Sequence, residues 1–214
     1  MTIPALAIDP VFARNPEEAA VLRERHVLLV GLGSVGSALA LMAARTGIGR
    51  FTLVDPEALE LENVGRHMLS RDSVGVPKVQ GVERAIKSVN PAAEVQAYAT
   101  DLMRLSPADL LQPSPPDLIL CGADSFACTS AVNTLSLEAN IPAVYVGCWG
   151  SARVGEILYV VPGQTPCLEC VLGFRRDATP TLADDPRKYT ESNFDTTRIP
   201  SQAGLWPSIL LIST

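Results

Sequence analysis

The chain has 214 residues, of which 47% are hydrophobic and 19% are charged, and its net charge is −6. This length and hydrophobic content suit one α/β domain with a substantial core. The negative charge disfavours nucleic-acid binding, which depends on lysine and arginine side chains that neutralise phosphates. The sequence shows no signal peptide and no apolar run of membrane-spanning length, so we expect a cytoplasmic protein that does not bind a membrane.

Strands and helices are predicted to alternate along most of the chain. Residues 26–30 form a continuous apolar run, typical of a strand buried on both faces, and an Ala- and Leu-rich helix follows over 34–46. Such alternation predicts an α/β fold with a Rossmann-like, doubly wound, mostly parallel sheet, and ligands beyond the carboxyl ends of its strands. The remaining elements predicted in this way are strands at 51–54, 94–98, 118–121, 143–147 and 154–161, and helices at 16–25, 79–89 and 125–140.

Two further segments flank this predicted core. We interpret residues 1–25 as an N-terminal arm with a short helix, and residues 26–214 as one domain. Residues 175–203 are polar with little periodicity, which predicts a long loop that acts as a lid or a crossover. The apolar stretch 204–214 ends without a cap, which suggests a domain incomplete at its C-terminus or covered there by a partner.

A glycine-rich loop joins the first core strand to its helix. Gly31, Gly33 and Gly36 form a G-x-G-x-x-G pattern, in which backbone N–H groups can approach a phosphate at the helix N-terminus. Asp55, at the end of the next strand, is placed to accept hydrogen bonds from ribose hydroxyls. These features predict nucleotide binding, and alone they fit an NAD-dependent enzyme equally well. The alternative is a glycine turn that only aids helix–strand packing.

The stretch after Asp55 discriminates between nucleotide-binding enzymes. It contains the pattern D-x-[DE]-x5-N-x2-R followed by G-x-P-K, whose key residues are Asp55, Glu57, Asn63, Arg66 and Lys78. This pattern resembles the nucleotide-binding signature of the ThiF/MoeB/HesA family, which includes the adenylation domains of ubiquitin-activating enzymes. The resemblance spans about residues 26–204 and implies a ThiF-type C-terminal extension of the fold.

The resemblance also implies a reaction, Mg-ATP-dependent adenylation of the C-terminal carboxylate of a ubiquitin-like or sulfur-carrier protein. The implied partner ends in Gly-Gly, and the implied enzyme is a homodimer. Arg66 offers a planar, bidentate donor to phosphate oxygens, Lys78 offers a compact charge, and Asn63 donates without adding charge. Each residue alone could be a solvated surface side chain, but their joint spacing favours a site.

Asp124 is the candidate magnesium ligand, because it follows a predicted strand and precedes a helix. The family places a magnesium-binding aspartate here in a motif resembling D-x-x-D-N, although Cys121 and Ser125 replace the first Asp and the Asn. Magnesium needs only one or two carboxylates when phosphate oxygens and waters complete its shell. The alternative is a helix N-cap formed by Asp124 with Ser125.

The five cysteines, an odd number without an export signal, disfavour a disulfide framework. Cys167 and Cys170 form a C-x-x-C pair that resembles half of the family's structural zinc site. No second pair follows, so zinc requires ligands past Thr214 or from another chain. A redox C-x-x-C requires a helix N-terminus after a strand, and Thr165-Pro166 gives no clear case of one.

Residues 198–204 contain no cysteine at the place where the resemblance implies one that accepts the activated carrier. The sequence therefore supports adenylation more than transfer. We expect His26 to be structural, and we assign no catalytic role to His67. The alternatives are adenylation of another carboxylate or of tRNA threonylcarbamoyladenosine, a non-catalytic scaffold, and an NAD dehydrogenase. The last is disfavoured because the sequence shows no catalytic group of His, Tyr or Lys residues.

Overall fold

The computed structural model describes residues 9–14, 16–149 and 154–172. In this part of the chain the strands are β1 His26–Val30, β2 Arg50–Val54, β3 Glu94–Tyr98, β4 Leu118–Cys121, β5 Ala143–Trp149 and β6 Val154–Val160. The α-helices are α1 Pro16–Leu22, α2 Ser34–Thr46, α3 Lys78–Val89, α4 Pro107–Leu111 and α5 Phe126–Ala139, and residues 168–172 are also helical. Short 3₁₀ turns lie at Pro10–Phe12, Leu61–Asn63, Arg71–Ser73 and Leu102–Arg104.

The six strands form one sheet in the order β3-β2-β1-β4-β5-β6. Strands β1 to β5 are parallel to one another, and β6 pairs antiparallel with β5. The winding reverses between β1 and β4, and ligands of such sheets bind beyond the carboxyl ends of the strands at this point. The predicted Rossmann-like, mostly parallel sheet is confirmed.

The sheet is covered on both faces, and β1 shows why its sequence is continuously apolar. Val27 and Leu29 belong to one buried cluster, which includes side chains of α2 and α3. Leu28 and Val30 belong to a second cluster on the opposite face, which includes side chains of α5. Successive strand residues point to opposite faces, so every position of β1 is buried. Full burial of each such side chain contributes about 1.5–3 kcal/mol of transfer free energy.

One helix, α4, was missed by sequence periodicity because it has only five residues. It begins with a capping box, in which Ser106 and Asp109 exchange side-chain and backbone hydrogen bonds. Helix α1 is shorter than predicted, and the carbonyl of Leu22 at its end accepts from the N–H of Gly49 at 3.2 Å. The predicted loop at 175–203 and the segment 204–214 lie outside the described residues. In the described ranges, no helix has the length and apolar content to cross a membrane.

Candidate nucleotide-binding site

The glycine-rich loop connects β1 to α2 at the winding reversal of the sheet. Gly31 has φ of 80°, a left-handed conformation, and a Cβ there would lie 2.6 Å from the backbone nitrogen of Ala123. A Cβ on Gly36 would overlap the carbonyl oxygen of Gly31. Gly33 is the N-cap of α2, with no side-chain capping bond and with open space around its Cα. The first N–H groups of α2 therefore face an open position suited to an anion.

Asp55 holds this loop from the end of β2. Its Oδ2 accepts from the N–H of Leu32 at 2.6 Å, and its Oδ1 accepts from the N–H of Glu57 at 2.8 Å. Burial raises the pKa of Asp55, while these two N–H groups and the charge of Lys78 act in the opposite direction. Both carboxylate oxygens thus bind backbone, and each retains a lone pair for a further donor.

Lys78 is the first residue of α3, and only 6% of its side chain is exposed. Its Nζ donates to the carboxylate of Glu57, whose side chain is 65% exposed. The backbone N–H of Lys78 also donates to the carbonyl of Glu57 at 2.9 Å. A buried ammonium is costly unless paired, so Glu57 both neutralises and orients this cation. An ammonium has three donors, which leaves capacity for phosphate oxygens.

Asn63 and Arg66 lie on the turn that covers the start of α2. Arg66 donates through Nη2 to Oδ1 of Asn63, and through Nη1 to Oγ of Ser34 at 3.0 Å. Asn63 is buried and closes the 3₁₀ turn Leu61–Asn63. Because Ser34 is the first residue of α2, the guanidinium lies beside the helix N-terminus, a position that favours an anion.

His67 also contacts the glycine-rich loop, which sequence reasoning missed. Its Nε2 lies 2.6 Å from the carbonyl oxygen of Leu32, and its Nδ1 lies 3.1 Å from the backbone nitrogen of Leu69. Burial lowers the pKa of His67, and the charges of Lys78 and Arg66 lower it further. The ring is therefore neutral at pH 7. No local motif signals this contact, because it joins residues 35 positions apart.

Asp124 is exposed and follows the carboxyl end of β4. The side chain of Ser125, rather than that of Asp124, caps α5 by accepting from the N–H of Cys128. Burial first, and then the charges of Asp101, Asp124 and Asp55, raise the pKa of Cys128 to about 11. The exposed carboxylate of Asp124 is a hard oxygen donor of the kind that Mg²⁺ prefers.

Cys167 and Cys170 lie with their sulfur atoms 3.5 Å apart. Residues 168–172 are helical, so the expectation that no clear helix start accompanies this motif was wrong. The N–H of Cys170 lowers the pKa of Cys167, and Oδ1 of Asn133 accepts from the N–H of Leu168 at 3.1 Å. The sulfur pair fits two ligands of a four-coordinate zinc site. Within the described ranges, no group of three or more potential ligands occurs.

Comparison with known proteins decides among the families that share this fold. The model of the ThiF family matches residues 10–199. The chain belongs to the ThiF family. This confirms the family indicated by the signature that contains Asn63, Arg66 and Lys78.

Two curated relatives of this ThiF-family chain carry names that describe an activity. It is 31% identical over 159 residues to ubiquitin-like modifier-activating enzyme 5 of Drosophila virilis, covering 70% of this chain and 40% of that protein. It is 32% identical over 161 residues to the sulfur carrier protein ThiS adenylyltransferase of Bacillus subtilis (strain 168), covering 74% and 47%. The chain therefore spans less than half the length of these relatives.

Among solved structures, this ThiF-family chain is similar to MccB of E. coli. The crystal structure of MccB with ATP gives a TM-score of 0.65 at 26% identity, covering 85% of this chain and 58% of MccB. MccB with MccA-N7isoASN gives the same TM-score and identity, with coverages of 78% and 52%. One of these structures thus contains a nucleotide and another a peptide ligand.

The ThiF-family fold brings most of the predicted site residues to one edge of the sheet. The glycine-rich loop and the side chains from the signature meet at the ends of β1 and β2, and Asp124 follows the neighbouring strand β4. The C-x-x-C pair instead lies against α5 through Asn133. The candidate nucleotide site and the sulfur pair therefore lie in different parts of the structure.

Proposed function

We propose that this chain is the nucleotide-binding part of an Mg-ATP-dependent adenylyltransferase that activates the C-terminal carboxylate of a ubiquitin-like or sulfur-carrier protein. The observation that carries the proposal is a pair of cations: Arg66 donates to Ser34, the first residue of α2, and the buried Lys78 pairs with Glu57, two residues after Asp55. A triphosphate requires this concentration of positive charge. The names of the two curated relatives support the same substrate class.

The proposed reaction needs positioned charge and no general base. A carboxylate is already ionised at neutral pH, so its oxygen attacks the α-phosphorus of ATP directly. A new oxygen–phosphorus bond forms, the bond to the β-phosphate breaks, and pyrophosphate leaves with the electron pair. Arg66 and Lys78 stabilise the charge on the phosphates, and Asp124 would hold the Mg²⁺ that neutralises them further.

In this proposal two acidic residues, Asp55 and Glu57, accept hydrogen bonds from the ribose. Asp55 already binds the backbone N–H groups of Leu32 and Glu57, so its first role is to fix the loop. Glu57 has the exposed carboxylate, and it follows Asp55 by two residues. We assign the ribose hydroxyls to the remaining acceptor capacity of these two side chains.

The proposed partner is a small protein with a C-terminal Gly-Gly, and the proposed assembly is a homodimer in the cytoplasm. The MccB structures support a peptide as ligand, because MccB complexes contain MccA. Cys167 and Cys170 would supply two thiolates to a zinc ion whose other ligands come from beyond this chain.

ATP–pyrophosphate exchange tests the proposal. The protein is incubated with ATP, labelled pyrophosphate and candidate Gly-Gly carriers, and we expect exchange that depends on Mg²⁺ and on the carrier. Asp124→Asn removes the proposed magnesium ligand, and the expected loss is about 100-fold or more. Glu138→Gln, an exposed carboxylate near the other end of α5, is the matched control and should keep full exchange. Equal activity of the two variants contradicts the assignment of Asp124.

A second candidate is adenylation of another carboxylate, which the likeness to the peptide complexes of MccB favours. The same exchange assay separates the candidates when the carrier is replaced by a short peptide, or by tRNA bearing threonylcarbamoyladenosine. Exchange with the peptide alone would favour this second candidate. ATP binding without exchange in the presence of any of these substrates would support a non-catalytic scaffold.

A further inference from the structure

The backbone of Leu32, the middle residue of the Gly31–Gly33 turn, is bound from two directions. Its N–H donates to Asp55 at 2.6 Å, and its carbonyl oxygen lies 2.6 Å from Nε2 of His67. The side chain of Leu32 is fully buried. Both polar backbone groups of this residue are therefore directed toward protein side chains, which fixes how the turn presents the N–H groups that follow.

The orientation of His67 is itself determined by its surroundings. The ring is 7% exposed, and its Nδ1 accepts from the N–H of Leu69 at 3.1 Å. Because Nδ1 is the acceptor, the proton of the neutral ring is on Nε2, which donates to the carbonyl of Leu32. The preceding residue, Arg66, donates to Ser34, the first residue of the helix that follows the loop.

We propose that His67 is a positioning residue for nucleotide binding, because it holds the carbonyl of Leu32 and thereby keeps the N–H groups of Gly33 and Ser34 directed at the phosphates. The inference rests on the proposed binding of ATP and adds a residue to it. Without the donor on His67, the buried carbonyl of Leu32 would lack this partner, and the peptide would turn to find another.

Two substitutions of His67 separate its hydrogen bond from its volume. His67→Gln keeps an amide donor that can reach Leu32, whereas His67→Leu fills the space without a donor. His26→Leu is the matched control, since His26 is also 7% exposed and bonds to Thr52 at 2.9 Å. It lies at the opposite end of β1, away from the loop. The dissociation constant of ATP is measured by calorimetry, and the melting temperature by thermal unfolding.

We expect His67→Leu to weaken ATP binding by about tenfold, and His67→Gln to stay within about threefold of the wild type. The control should lower the melting temperature and leave the affinity for ATP unchanged. If His67→Leu does not fold, His67→Asn replaces it, because its amide is one methylene too short to make the bond. If His67→Asn then binds ATP as tightly as His67→Gln does, the inference is overturned.

With His67→Leu folded, three results overturn the proposal. In the first, the wild type binds ATP and His67→Leu binds it equally well, which leaves the adenylation proposal intact. In the second, the control weakens ATP binding as much as His67→Leu does, which shows a general loss of stability. In the third, the wild type binds no ATP, and the proposed function fails together with this inference.

Discussion

Replacement of Gly31 by alanine should destabilise the fold through two separate effects. Gly31 has a left-handed φ of 80°, which costs a residue with a Cβ about 1–2 kcal/mol. The new Cβ would also lie 2.6 Å from the nitrogen and 2.7 Å from the Cα of Ala123, where such contacts stay above 3.0 Å. The loop and the segment after β4 must therefore separate by about 0.4 Å, and such overpacking costs about 1–3 kcal/mol.

The expected total of about 3 kcal/mol corresponds to a fall in melting temperature of about 6–12 °C for a domain of this size. Thermal unfolding followed by circular dichroism measures it. Gly33→Ala is the matched control, because a Cβ at Gly33 meets no atom within 4 Å and its φ is −71°. This variant should keep its melting temperature within about 3 °C and lose affinity for ATP, since the new methyl group enters the phosphate position. Equal melting temperatures for Gly31→Ala and the wild type would refute the reasoning.

Three further predictions concern single groups. Lys78→Met should abolish ATP–pyrophosphate exchange and change the free energy of unfolding little, because a buried ammonium with one exposed partner contributes little net free energy. Exchange kinetics measure the first effect and thermal unfolding measures the second. Iodoacetamide at about pH 8 should modify Cys167 before Cys121, since an N–H bond lowers the pKa of Cys167 and burial raises that of Cys121 to about 12; peptide mapping decides the order. Burial lowers the pKa of both His26 and His67, so unfolding takes up protons, and the melting temperature should fall as the pH drops below about 6.5. A His26→Gln/His67→Gln double variant should show a flatter dependence.

The sheet could be predicted because its strands are covered on both faces, and such strands require consecutive apolar residues in the sequence. Strand β1 is fully buried, and its predicted bounds agree with the structure. Helix α4 left no periodic signal, because five residues complete little more than one helical turn. The helix after Cys167 was missed because Pro166 favours extended backbone in the residue before it, although proline is also tolerated at helix starts.

Some residues of the candidate site belong to local sequence patterns, and others are joined only by contacts between distant parts of the chain. The glycine-rich loop and the residues Asn63, Arg66 and Lys78 could be named because they belong to local sequence patterns, the second of which resembles a family signature. The bond of His67 to Leu32 could not, because it depends on how the 63–69 segment folds back over the loop. The double role of Asp55 was likewise hidden, since a sequence does not show which backbone groups a carboxylate will accept from.

The two hydrogen bonds of Asp55 link the backbone of the glycine-rich loop to the backbone of the segment starting at Glu57. One rigid carboxylate spans both backbones, so a shift of either is transmitted to the other. The contributions of the ribose contacts and of the phosphate contacts to the free energy of nucleotide binding should then be coupled rather than independent. In the proposed site, a substitution at Asp55 that alters ribose recognition should therefore also alter phosphate binding.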